Sequence, residues 1–314
     1  MPPTPTTPPA LRRVAPLLVL VSLILPLGPT GVSAEALPPV SAIPRAVLTP
    51  DRATTGPFPE RVATLWQESV RCEEDGDLEE AAALRRRILA HRPDDVHTGW
   101  RLARDLVRLG ESLPRSRDGE RLGVYEEAFA TARHARRVDP RCAECCLYEF
   151  AALGRIANAK GVFESVAVVR EASELLPTCL EMQSPTWTDT PDRRESGNLY
   201  LGAAMYFRLL PNNWWAERLL GVRGDANQAV HWARKAVDDT PERVDYTVEL
   251  GLGLICLGDR SGDDTRRDEG LALLAEAQSL PDRTATDPLD RKRAAEVLRD
   301  PSRACGDSRP LGHE

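Results

Sequence analysis

The stretch Gly224-Asp225-Ala226-Asn227-Gln228-Ala229-Val230-His231-Trp232-Ala233-Arg234-Lys235-Ala236-Val237-Asp238-Asp239-Thr240-Pro241 decides the fold. Its small residues fall at Ala229, Ala233 and Ala236, the i, i+4, i+7 spacing of one helical face. Gly224 turns the chain before the helix and Pro241 ends it. Two further copies share the frame: Gly76, Ala81, Arg85, Ile88, Pro93 and Gly123, Ala128, Ala132, Ala135, Pro140, the first with Arg at a small position. The distance from Gly to Pro is the same in all three. This is the second helix of a tetratricopeptide-like hairpin, whose small residues let it press against its partner.

First helices of such hairpins are expected at Pro59 to Asp75, Val96 to Ser112, Cys142 to Ala159, Glu195 to Leu210 and Val244 to Leu257. Two more second helices, Lys160 to Leu176 before Pro177 and Arg267 to Leu280 before Pro281, keep the helical period with poorer small-residue matches. The expected fold is therefore all-α, a helical-repeat solenoid of about five helix pairs. Insertions are placed at Leu113 to Arg121, Pro177 to Arg194, Pro211 to Arg223 and Asp259 to Arg266, turn positions where a solenoid tolerates length. A capping helix from Pro288 to Leu298 closes the domain over 58–300, and 301–314 is expected to be a flexible tail.

Composition agrees. Aromatic residues are only 5% of the 314-residue chain while Ala, Leu, Arg and Glu recur, which suits helices rather than strands. The net charge is −7 with both signs interspersed, so there is no basic stripe of the kind that binds nucleic acid.

The amino terminus has the parts of a secretory signal peptide. Arg12-Arg13 precede an apolar run from Val14 to Leu27, and Val32-Ser33-Ala34 forms a small-residue cleavage site. The run is shorter than the roughly 20 residues a membrane-spanning helix needs, and Pro16 and Pro26 interrupt it. Residues 1–34 are thus expected to be removed after Ala34, with 35–57 a Pro/Ala/Thr-rich linker and the protein periplasmic or secreted. Membrane contact is expected only if this segment stays uncleaved.

From Cys142 to about Pro281 the chain resembles two groups of tetratricopeptide-like proteins, the periplasmic T-component of TRAP-type transporters and the regulator of microtubule dynamics family. The shared residues are Leu153-Gly154-Arg155 running into Lys160-Gly161-Val162-Phe163, then Leu209-Leu210-Pro211, Trp214-Trp215-Ala216-Glu217-Arg218-Leu219-Leu220, Asn227-Gln228-Ala229-Val230 and Ala233-Arg234-Lys235-Ala236. The resemblance implies a helical repeat with no enzymatic activity of its own and a groove for an apolar ligand or a partner segment. This chain departs in lacking a Cys for lipid attachment after the apolar run, and a microtubule role does not suit an exported protein.

Candidate binding residues are Trp214, Trp215, Tyr206, Lys160 and Arg155. Adjacent tryptophans cannot share one helix face, so at least one is expected to be exposed or to line a groove; bracing of the inserted loop is the alternative. Lys160 and Arg155 could face an anionic group or simply be solvated. The expected partner is a protein segment or a small apolar ligand, with no cofactor, and a purely structural envelope component is a further reading.

Cys142-x2-Cys145-Cys146 sits where a helix begins, a place that favours thiolate, so a thiol redox protein using Cys142 and Cys145 is the alternative function. The βαβ setting of thioredoxin-like sites is absent, and Cys rather than His at 146 removes c-type haem attachment. Zinc would need ligands that the five His and remaining Cys do not space correctly, so no metal is expected. These cysteines are either buried small residues or contribute one disulfide, with Cys179 the candidate partner; of seven in all, an odd one stays free or pairs between chains. No phosphate-binding loop, nucleophile elbow or His-Glu-x2-His helix is present in the sequence, which lowers the expectation of catalysis.

Overall fold

A computed structural model describes residues 58–160, 164–182, 195–214, 217–218, 221, 223–284 and 286–308. The signal-peptide and linker expectations, Trp215 and most of the Pro177 to Arg194 insertion lie outside these residues. Among the described residues there are eleven α-helices and no strand. They are α1 (Phe58–Glu74), α2 (Leu78–His91), α3 (Val96–Ser112), α4 (Asp118–Val138), α5 (Ala143–Lys160), α6 (Val166–Glu181), α7 (Glu195–Leu209), α8 (Ala226–Asp239), α9 (Val244–Ser261), α10 (Asp264–Glu276) and α11 (Asp287–Arg299). Short 3₁₀ turns sit at Arg115–Arg117 and Pro301–Arg303.

The helices pack in sequential pairs, α1 with α2, α3 with α4, α5 with α6, α7 with α8 and α9 with α10. Each second helix also touches the first helix of the next pair, and α3, α5, α7 and α9 follow one another in contact. That double engagement is how a hairpin that cannot bury its apolar face alone becomes stable in an array. The small-residue stripes lie in these joints: Ala81, Ala128, Ala132, Ala135, Ala229, Ala233 and Ala236 are all buried.

Why the second helices begin where they do is visible in their first turns. Gly76 takes φ +80°, and Asp77 then caps α2 by accepting from the Glu80 N–H. Asp225, after Gly224, caps α8 by accepting from Asn227 and Gln228 N–H. A carboxylate there satisfies otherwise unpaired amides and suits the positive end of the helix dipole. Gly123 is followed by Val124 and has no such cap, so α4 starts earlier, at Asp118, and runs straight through it. The expected turn at Gly123 is corrected accordingly.

Three other boundaries differ. Lys160 is the last residue of α5, and α6 begins at Val166. Pro177 lies inside α6, which continues to Glu181; a proline costs its helix a hydrogen bond, and here the turn beyond it is tied to α5 through a Cys146–Cys179 disulfide. The turn after α9 is at Gly262, φ +69°, with Asp263 as the next cap, so Asp259 to Ser261 are helix rather than insertion.

Helix α9 is buried from Val244 through Gly258 on every side, packed by α7, α8, α10 and α11. The segment after α11 is not a loose tail as far as it is described. Ala304 is fully buried, Cys305 is bonded to Cys256 of α9, and Asp307 pairs with Arg293 at 2.9 Å. Its anchor is Arg208 of α7, which donates to both Glu249 oxygens at 2.6 and 2.9 Å and to the Ala304 carbonyl at 2.6 Å.

Candidate functional site

The candidate binding residues from the sequence are placed in different settings. Trp214, 74% exposed, stands in the connection between α7 and α8. Tyr206 is in the joint of α5, α6 and α7: its ring meets Phe150 edge-on at 5.9 Å and its hydroxyl pairs with that of Ser173. Burial pushes its pKa up to about 12, the hydrogen bond from Ser173 acting the other way. Arg155 forms an ion pair with Glu111 of α3, and Lys160 one with Glu126 of α4 at 3.2 Å. These two residues therefore join α5 to the preceding pair.

A second constellation escaped the sequence reading. Trp66 of α1 lies 4.9 Å from His97 of α3, His97 lies 5.5 Å from Trp100, and Trp100 stacks on Tyr148 of α5 at 6.2 Å with planes 6° apart. The guanidinium of Arg101 sits over both indoles, 5.3 Å from Trp66 and 4.8 Å from Trp100, and that of Arg104 is 5.2 Å from Trp100. Such cation–π pairs hold planar groups in register. The helical spacing of His97, Trp100, Arg101, Arg104 and Arg108 puts all five along one face of α3, and that spacing is the signal that could have found them.

Below the rings, Glu73 of α1 gathers the arginines. It accepts from Arg85 at 2.6 Å and from Arg104, with Arg101 and Arg108 within 3.7 and 3.6 Å. Burial works to raise the Glu73 carboxyl, but Arg104 and Arg85 outweigh it and hold the group below its ordinary range. Arg85, which stands at a small position of its repeat, also pairs with buried Asp105. His97, open to solvent on one side, is held below its ordinary value first by desolvation on the side packed against the rings and then by the charge of Arg101.

The cysteines are more engaged than one bridge. Three disulfides join Cys142 to Cys145, Cys146 to Cys179 and Cys256 to Cys305, and Cys72 remains a free thiol. Chain entropy separates their roles. Separations of 33 and 49 residues restrict the unfolded chain by about 3.7 and about 4.1 kcal/mol, a separation of 3 by only about 1.6 kcal/mol. Cys142 precedes α5, and its sulfur accepts the Cys145 N–H at 3.1 Å, the position of a capping side chain. Among the described residues no three His, Cys, Asp or Glu side chains are grouped as a metal ion would require, and no helix is long and apolar enough to cross a membrane.

Paired helices, small-residue seams and second helices that each serve two neighbours make this an all-α, tetratricopeptide-like helical-repeat protein. No protein-family model and no curated protein matches the chain. Solved structures similar to it include a thermophilic tetratricopeptide protein from Thermus thermophilus, at 18% identity and TM-score 0.48 over 76% of this chain and 99% of that one. A MamA protein from Desulfovibrio magneticus is similar at 15% identity and TM-score 0.42, over 70% of this chain and 94% of its own.

Proposed function

We propose that this chain is exported and acts as a non-catalytic helical-repeat scaffold that binds a protein segment. The segment lies along the edge where α1 and α3 meet. The observation that carries this is the ring ladder: half-buried Trp66 and exposed His97 bridge two successive first helices, with Arg101 laid across the indoles. Tryptophan and arginine held rigid at a partly open surface are the residues that dominate protein interfaces, because they offer large contact area with little ordering cost. The exposed indole of Trp214 adds a second apolar contact on the fourth pair. Export is supported by the amino-terminal signal features and by six of seven cysteines being paired, a state that persists in oxidising compartments.

Affinity capture from envelope extract, compared between wild type and the His97→Ala/Arg101→Ala double variant, tests the binding surface. The expected result is a discrete partner that the folded double variant loses and that Trp214→Ala weakens. Identical capture by all three proteins would overturn the surface assignment. The export half is read by intact mass, which should begin at Glu35; a mature chain retaining Met1 refutes cleavage.

A further inference from the structure

We infer that Cys142–Cys145 is a reactive disulfide that exchanges with an external dithiol, while the other two disulfides hold the fold. Three observations converge. The first is mechanical: Cys142–Cys145 joins residues 3 apart within one turn, so opening it frees no distant element. Cys146–Cys179 ties α5 to α6 and Cys256–Cys305 ties the carboxy-terminal segment to α9. The second is electronic: the Cys142 sulfur already accepts the Cys145 N–H at the start of α5, so a Cys142 thiolate is stabilised where it forms. The third is access: of the two sulfurs, Cys142 keeps 7% exposure where Cys145 has none, so attack from outside falls on Cys142.

One thiolate of the dithiol attacks the Cys142 sulfur; the Cys142–Cys145 bond breaks and Cys145 leaves and takes up a proton. The second thiolate then attacks its own partner sulfur in the mixed disulfide, closing the external disulfide and releasing Cys142 as a thiolate. Two electrons pass from the dithiol to the Cys142–Cys145 pair, and the external reagent is oxidised to its disulfide. Exposure alone would favour attack at Cys305, which is more open than Cys142. At equilibrium it is the capped Cys142 thiolate that favours opening of this pair.

The test is an equilibrium titration of the full chain in dithiothreitol buffers of defined ratio, quenched with iodoacetamide and read by peptide mass mapping. Cys142 and Cys145 should label at a reduced-to-oxidised ratio about tenfold lower than Cys146 and Cys179 do, the factor that one unit of pKa depression at a capped Cys142 thiolate supplies. The helical circular dichroism should not change over that range. Opening of all three pairs together, or of Cys142–Cys145 last, would overturn the inference. A second measurement uses Cys145→Ser, which frees the Cys142 thiol beside that of Cys72: alkylation followed on the Cys142 peptide by mass should rise through a pKa below the ordinary ~8.5, and a value at or above that overturns it too.

Discussion

At the scale of single residues the informative group is Arg208. Its guanidinium is wholly buried, yet each face of the fork is answered, by Glu249 from α9 and by the Ala304 carbonyl from beyond α11. Removing one member of such a pair strands the other charge away from water. We expect Arg208→Met to lower unfolding free energy by about 3–5 kcal/mol in urea denaturation, and the double variant Arg208→Met/Glu249→Leu to recover most of it. If the double variant is no better than the single one, the cost is not that of a stranded carboxylate. The alanines at the helix seams were legible in the sequence because their spacing is local. Arg208 and Arg85 were not: a buried arginine is readable only with its partners, and Glu249 and Ala304 stand 41 and 96 residues away. The ladder as a whole was not legible for the same reason, since its ring contacts cross from α1 to α3 and on to α5, although the spacing along α3 marked His97 and Trp100.

Between elements, α9 and α10 approach each other closely at Gly251 and Gly270. A Cβ at Gly270 would stand 2.6 Å from the Gly251 carbonyl oxygen and 2.8 Å from Ile255 Cγ1, both impossible without a shift of backbone or core. Gly154 of α5, by contrast, has nothing within 4 Å of a would-be Cβ. Gly270→Ala should therefore destabilise by about 1–3 kcal/mol despite the better helix propensity of alanine, whereas Gly154→Ala should be neutral or add up to about 1 kcal/mol. Thermal melting of the two variants side by side checks the sign of each. Helix existence and pairing were legible from the Gly-to-Pro frame. Boundaries were less so, and the reason is capping: where Asp follows Gly, as at Gly76-Asp77 and Gly224-Asp225, the helix starts on schedule, and where Val follows Gly123 it does not. The pair Gly262-Asp263 carried that signal too, but Gly258-Asp259 four residues earlier carries the same dipeptide inside α9.

At the scale of the whole chain, the array ends differently from how it begins. Helix α9 has neighbours on all sides, and its buried Glu249 is answered by Arg208 on α7, with Arg293 of α11 at 3.9 Å. Arg293 in turn is paired with Asp290 at 2.7 Å and with Asp307 at 2.9 Å. Residues 301–307 thus complete the last two pairs, where a flexible tail was expected. A chain ending at Asp300 loses the Cys256–Cys305 bond, worth about 4 kcal/mol in chain entropy, together with one acceptor each of Arg208 and Arg293, the Ala304 carbonyl and Asp307. We expect limited proteolysis of that truncation to cut within α7 to α11 while α1 to α5 stay protected. Uniform protection across both halves would show that the carboxy-terminal segment is dispensable.

The dependence of Arg208 on Ala304 also sets a timetable. Synthesis runs from the amino terminus, so α7 and α9 exist as chain well before the carbonyl and the cysteine that complete them. The first three hairpins can dock on their own contacts, but the final ones are complete only once Ala304 and Cys305 have joined them. Completion of the last two pairs is therefore a late event in folding, and a chain cut before Ala304 leaves Arg208 without its carbonyl acceptor and α9 without its covalent tie.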